Sequence, residues 1–294
     1  MKKTTLTLFF LSTILVVFGQ QKPSKAYFQQ NVNYKIDVLL DDEAHILNGG
    51  IEFEYTNNSP DDLTEIYFHL WPNAYKNTET EFAKQQYEQG NTKFLYASEA
   101  DRGRIDQLDF SANGQKLEWK YDETHVDIAL VQLKTPLKSG ETRTIKTPFR
   151  VKIPASFSRL GHVQTSYQMT QWYPKPAVYD KNGWHQMPYL NQGEFYSEYG
   201  SFDVSITLPK NYVVGATGTL QNQEEIKFLE ERVAETNEAI KANKIEFKID
   251  FPISSDEKKT LRYTADDIHD FAWFADKRFW VQKGEVQLAS GKKV

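Results

Sequence analysis

A mainly β fold, an antiparallel β-sandwich with one inserted amphipathic helix, is what this sequence predicts, on three observations. Apolar residues alternate with polar ones: Tyr34, Ile36, Val38 and Leu40 fall on one face, and Ile51, Phe53 and Tyr55 repeat the pattern after Asn48-Gly49-Gly50. Phe202, Val204, Ile206 and Leu208 do so again, as do Ile245, Phe247, Ile249 and Phe251. Period-two alternation marks strands with one face on a core and one in water. Asn113-Gly114 stands between Leu108-Asp109-Phe110 and Leu117-Glu118-Trp119, a strong hairpin signal because both turn positions tolerate positive φ. Aromatic content is 14%, with 16 tyrosines, which favours strands.

In chain order, the first nineteen residues come before the fold. Lys2 and Lys3 precede an apolar run from Leu6 to Phe18, and Val17 and Gly19 supply the small residues of a cleavage site. This is the pattern of a secretory signal peptide. The run is too short to anchor in a bilayer, and no later segment approaches the roughly 20 apolar residues that a membrane span needs. The protein is expected to be secreted or periplasmic, with periplasm, outer surface and medium left open. The expected organisation is 1–19 signal peptide, 20–280 β-sandwich domain, and 281–294 the start of a following domain. Pro136, Pro148, Pro154 and Pro209 punctuate strand ends. From Gln223 to Asn243 there is no Gly or Pro, and Ile226, Leu229, Val233 and Ile240 recur at helical spacing, which predicts the inserted helix. Asp266 or Asp267 is placed to cap a turn before the aromatic cluster Phe271, Trp273 and Phe274, whose blander reading is a core plug. Gly284 to Leu288 reads as a strand, Ser290-Gly291 as a turn, and Lys292 to Val294 as the start of a partner strand. The chain is therefore expected to continue past Val294.

Several chemistries are excluded or weakened. With no cysteine there is no disulfide, thiol or Cys-held lipid. The formal charge of −5 comes from interspersed residues, with no basic block to neutralise nucleic acid. The six histidines, at 45, 69, 125, 162, 185 and 269, include no i, i+4 pair and no H-E-x-x-H, so no zinc or other cofactor is expected in this chain. His125 beside Asp122 and Glu123 is the least poor ligand candidate and is more simply a turn residue. No G-x-S-x-G elbow occurs, and Gly215-Ala216-Thr217-Gly218 is neither a dinucleotide nor a phosphate loop. Asp41-Asp42-Glu43 and Asp61-Asp62 read as solvated turns.

One stretch stands apart. "QWYPKPAVYDKNGWH", 171–185, sets four rings, two prolines and a histidine into one segment. Proline removes ladder donors, so Trp172, Tyr173, Trp184 and Tyr189 are not all expected in the core. The alternatives are packing against a neighbouring domain, contact with a ligand, and stacking on sugars.

"QWYPKPAVYD", then "GEFYSEYGSFDVSITLPKNYVVGATG", then "DDIHDFAWFADKRF" resemble, in order and spacing, the N-terminal β-domain of aminopeptidase N-like zinc metallopeptidases, in their exported bacterial branch. The likeness runs from about Tyr34 to the C-terminus. It implies a saddle-shaped β-sandwich that forms one wall of the cleft of a thermolysin-like catalytic domain. Zinc, the H-E-x-x-H pair, a distant Glu ligand and the transition-state-stabilising Tyr belong to that domain in the family, and none of them is found here. This chain alone is expected to be inactive, with the catalytic domain as its missing partner and a peptide N-terminus as the substrate group it meets. The resemblance also implies a Gln or Glu, several residues before the WYP block, that helps hold the substrate's α-amino group. Gln164, Gln168 and Gln171 are the candidates. Spacing to Pro174 falls nearest Gln164 or Thr165, whereas the local motif points to Gln168, which is preferred. The alternative to a peptidase domain is a free-standing exported module that binds carbohydrate or protein through the aromatic loop.

Overall fold

The computed structural model describes residues 27–245 and 250–294. The signal peptide lies outside them, as does 246–249, the centre of the strand expected from Ile245 to Phe251. The flanking Ile245 and Phe251 belong to neither strand nor helix.

The largest sheet is built on the alternations that the sequence displays. Asn31–Asp41 pairs antiparallel with Ile46–Thr56, which pairs with Thr142–Lys152. On its other side Asn31–Asp41 runs parallel to Gly200–Pro209, Lys258–Ile268 follows antiparallel, and the short Thr219–Leu220 forms the edge. The parallel pair qualifies the antiparallel expectation, and it has a topological cause. Parallel neighbours need a long crossover, and here residues 42–199 supply it: they add Ile46–Thr56 and Thr142–Lys152 on the other side of this sheet, build the opposing layers and only then return to Gly200. Gly200 makes the parallel contact feasible, because a Cβ built there would stand 1.7 Å from the carbonyl oxygen of Val32.

Two four-stranded sheets face this one. Leu63–His69 joins Ile128–Leu137, Trp119–Tyr121 and the two-residue edge strand Lys175–Pro176. Gly161–Val163, Ser166–Met169, Trp273–Asp276 and Val213–Ala216 make the other. The core lies between the layers: Phe53 meets Phe68 with ring centroids 5.3 Å apart, Tyr34 stacks on Phe202 at 4.3 Å, and Trp172 meets Trp273 edge-on at 6.3 Å. Each such ring, fully withdrawn from water, contributes roughly 1.5–3 kcal/mol, so the interlocked aromatics dominate the packing. The Asn113-Gly114 hairpin forms as expected, joining Ser111–Ala112 to Gln115–Lys116 with φ of 52° and 74° at its two turn residues.

The amphipathic helix spans Gln223–Lys241, with Ile226, Leu229 and Val233 half-buried and Ile240 exposed. It is joined by an unforeseen short helix, Glu81–Glu88, capped by the Thr80 side chain. A strand replaces the expected cap at Asp266 and Asp267: both lie in Lys258–Ile268, where Asp267 has φ of 54° at the bulge opposite Ser201. The final residues form a small hairpin on the surface, with Val286 and Val294 exchanging backbone hydrogen bonds of 2.8 and 2.9 Å.

The four rings of the aromatic block are not all in the core, as expected, but three of them are, so most of the block packs inward. Trp172, Tyr173 and Tyr189 are fully buried, and only Trp184 is half-exposed. Proline bars a residue from the interior of a ladder, not from its edge. Pro176 sits in the edge strand opposite Phe68, and the left-handed turn at Gln171, φ 50°, swings both rings inward. The acidic turn is also corrected at one position: Asp41 caps its turn in solvent, but Asp42 is buried and accepts from the Tyr212 hydroxyl at 2.6 Å.

Candidate functional site

The two residues singled out for amine binding lie on one hairpin. Gly161–Val163 and Ser166–Met169 are joined by Gln164 and Thr165, with Gln164 at φ 49° in the turn. Gln164 is exposed, and its carbonyl oxygen lies 3.0 Å from His162 Nδ1. Gln168 stands four residues on, so the hairpin carries the two to different places and does not join them in one site.

Gln168 is the better acceptor. Its Nε2 donates to Ser156 Oγ at 2.7 Å and to the Ser158 carbonyl at 2.8 Å. A backbone carbonyl only accepts, so this pair fixes the orientation of the amide. Oε1 then makes no hydrogen bond among the described residues and is not a buried atom. Ser158 is itself held, its Oγ donating to Asn191 Oδ1 at 2.6 Å and lying 2.9 Å from the Tyr189 hydroxyl. An amide oxygen presented outward on a braced side chain can accept from an ammonium group.

Gln171, the third candidate, turns inward. Its Nε2 donates to Asp270 Oδ2 at 3.2 Å, and its Oε1 is buried without a partner. Asp270, itself half-buried, is the centre of a network whose partners Tyr173, Lys175 and Phe271 are fully buried. Oδ1 accepts from the Tyr173 hydroxyl at 2.7 Å and from the Phe271 amide at 2.8 Å, and the Lys175 ammonium lies 3.3 Å away. Lys175 Nζ also donates to the His269 carbonyl at 2.6 Å, and Trp172 Nε1 to that of Phe271 at 3.0 Å. Burial lowers the pKa of Lys175, and the neighbouring Asp270 opposes that fall. Burial likewise raises the Tyr173 hydroxyl, and Asp270 raises it further. Across the sheet from Lys175, His69 is driven down to about 3, first by burial and then by that ammonium, and its Nε2 accepts from the Met187 amide. The first and third sequence blocks therefore meet in the core rather than at a ligand.

The other histidines stay apart from any metal-like arrangement. His45 and His162 stack at 3.6 Å, and burial lowers both pKa values. His125 sits in the turn that Asp122 caps through the Thr124 and His125 amides, as the turn reading expected. Among the described residues no three His, Asp or Glu side chains gather as a metal ion requires. Those residues do not fit zinc. No helix among them is long and apolar enough to cross a membrane.

Sequence reasoning missed two features of this region. Glu198, within the second block, is 3% exposed, and burial raises its carboxyl to about 7 against hydrogen bonds from the backbones of Tyr179 and Gln30. Phe274, read as part of a core plug with Phe271 and Trp273, is instead exposed while those two are buried. The alternation in Trp273-Phe274-Ala275 was the available signal, since neighbours on a strand face opposite ways.

No family model and no curated protein matches the chain. In backbone arrangement it is similar to several solved M1 zinc metallopeptidases. One is a mutant enzyme from Deinococcus radiodurans, 14% identical, with 84% of this chain and 42% of that one covered at a TM-score of 0.46. Another, a mutant from the same organism bound to a Tyr-Ser-Ala substrate, is 14% identical, with coverage of 90% and 46% at 0.48. A third, a two-domain M1 zinc metallopeptidase mutant bound to L-arginine, is 13% identical, with coverage of 90% and 46% at 0.45. The chain spans less than half the length of these structures.

Proposed function

We propose that this is the N-terminal, substrate-cleft domain of an exported zinc aminopeptidase-like metallopeptidase, with Gln168 taking the α-ammonium group of a peptide. The zinc ligands and the general base would come from a catalytic domain outside the present sequence, to which 281–294 leads. In such an enzyme the metal activates water and polarises the scissile carbonyl. This domain's part is to bind and orient: an uncharged amide oxygen accepts from the ammonium without imposing a counter-charge, and bracing by Ser156 and Ser158 keeps that oxygen outward. The observation that carries the reading is this presentation of Gln168, on the hairpin just ahead of the first of the three sequence blocks that resemble the family. The aromatic loop that would serve a carbohydrate- or protein-binding module has its principal rings in the core, so no observation favours that alternative.

The test is to recover the native polypeptide from the periplasm or medium with an antibody to this domain. A polypeptide well above 34.1 kDa, with one bound zinc and activity on aminoacyl p-nitroanilides, is expected. Gln168→Ala should raise its KM far more than it lowers kcat. A mature protein no larger than this chain, without zinc or activity, would refute the reading.

A further inference from the structure

Gln168 does not stand alone on its face of the sheet. Across Gly161–Val163, Ser166–Met169, Trp273–Asp276 and Val213–Ala216 the register sets Gly161, Gln168, Phe274 and Gly215 in one row. Residues paired across neighbouring strands share a face, with Cβ atoms about 4.5–5.5 Å apart. On either side in sequence, Trp273 and Ala275 are fully buried, whereas the Phe274 ring is 42% exposed. The Phe274 ring therefore leaves apolar surface in water, as Val163 does at the edge of the same sheet. Beyond it Gly215 supplies no side chain, and a Cβ built there meets nothing within 4 Å. The row is thus an outward amide oxygen, an aromatic ring and an open step, in that order.

We infer that Phe274 is the specificity-determining residue of the same site: its ring and the open step at Gly215 receive the apolar side chain of the substrate's first residue, while Gln168 holds that residue's ammonium group. The inference rests on the assignment of Gln168 to the amine. In an N-terminal amino acid the ammonium and the side chain leave the same carbon, so their partners must be adjacent, and Gln168 and Phe274 are direct cross-strand neighbours. The ring face also attracts a nearby cation, which reinforces the amide oxygen. An apolar first residue should gain from Phe274, and glycine should gain little.

The chain itself, titrated with glycinamide, leucinamide and N-acetyl-leucinamide, tests this, with the Gln168 side-chain amide resonances reporting binding. Leucinamide should bind roughly tenfold tighter than glycinamide, the usual scale for a few apolar carbons in contact, and N-acetyl-leucinamide should not bind. Phe274→Ala should abolish the advantage of leucinamide and keep the preference for a free amine. Gly215→Val, which extends a strand with ordinary φ and fills the open step, should weaken leucinamide more than glycinamide. A leucinamide advantage that survives both substitutions overturns the role of Phe274 and leaves that of Gln168 intact. Equal binding of the acetylated and free amides, or no binding of any of the three, overturns the amine site and Phe274 with it.

Discussion

Asp270→Asn is the most informative single change, because it removes one charge and almost no volume from the network that joins the first and third blocks. Asn keeps an acceptor for the Tyr173 hydroxyl and the Phe271 amide, but it no longer neutralises the Lys175 ammonium, which is 1% exposed. Breaking a buried ion pair from one side costs about 3–5 kcal/mol, since the surviving charge stays desolvated. A domain stable by about 5–15 kcal/mol would lose a large share of its margin. Urea unfolding followed by tryptophan fluorescence should show the loss as a lower midpoint with an unchanged slope. The same substitution in a Lys175→Met background should cost about 1 kcal/mol or less, because the charge is gone. The pH dependence has a definite sign. Without Asp270 the folded-state pKa of Lys175 drops further below its ordinary 10.5. The unfolded chain then binds the extra proton, so the deficit shrinks as pH rises toward 10.5. A loss below about 1 kcal/mol at pH 7, or an equal loss in the Lys175→Met background, would refute the ion-pair account.

Glu198→Gln should stabilise the protein by about 3 kcal/mol at pH 8 and leave it unchanged at pH 4. The buried carboxyl, raised from 4.5 to about 7, keeps a proton that the unfolded chain surrenders, so the wild type weakens as pH rises through that interval; an equal gain at both pH values in urea unfolding would contradict this. His69, held down at about 3, should stay neutral at pH 5, and imidazole resonances that titrate near 6.5 would show that it is not sealed in. Gly200→Ala should cost about 3 kcal/mol or yield insoluble protein through the clash with Val32, whereas Gly50→Ala, with open space at its Cβ, should stay within about 0.5 kcal/mol of wild type. Equal effects at the two glycines in thermal unfolding would remove the close-approach argument.

The legibility of the fold followed from where the physics is local. Tyr34 to Leu40 and Phe202 to Leu208 announce their strands because one face is buried and the other wet, and Asn113-Gly114 announces its turn because φ must be positive there. The helix at 223–241 was visible from apolar spacing alone. What stayed hidden depended on partners distant in sequence. Lys258–Ile268 reads Leu261 and Tyr263 inward and then loses its period at Asp266 and Asp267, where the bulge opposite Ser201 interrupts the pairing. The burial of Trp172 and Tyr173 depends on Asp270 and Phe271, nearly a hundred residues on: the Phe271 carbonyl takes the indole N–H, and the Asp270 carboxylate takes the Tyr173 hydroxyl and the Gln171 amide. Gln168 was legible only as one of three glutamines. The distinction among them lies in what each amide nitrogen meets, Ser156 and Ser158 for Gln168 and a carboxylate for Gln171, and no spacing rule contains that.

The same contrast separates recognition from support in this domain. Had the aromatic block been the ligand-facing surface, Trp172 and Tyr173 would be free to move, and their polar atoms would be unpaired or wet. Instead Trp172 Nε1 and the Tyr173 hydroxyl are bonded within the core, so the block holds the sheet from behind. The hairpin that follows Ser156 and Ser158 is anchored on its inner side, where Tyr167 donates to the Asp42 carbonyl at 3.2 Å and Met169 is fully buried. Between those two inward residues the alternation of the strand leaves Gln168 facing out. A rigid element with a buried underside and one braced polar group above it is the arrangement in which an amide oxygen can be held to within a fraction of an ångström of a ligand. The density of rings that marks 171–185 in the sequence is therefore core support, and the site proposed for the amine is the sparser face of Gln168, Phe274 and Gly215 on the neighbouring sheet.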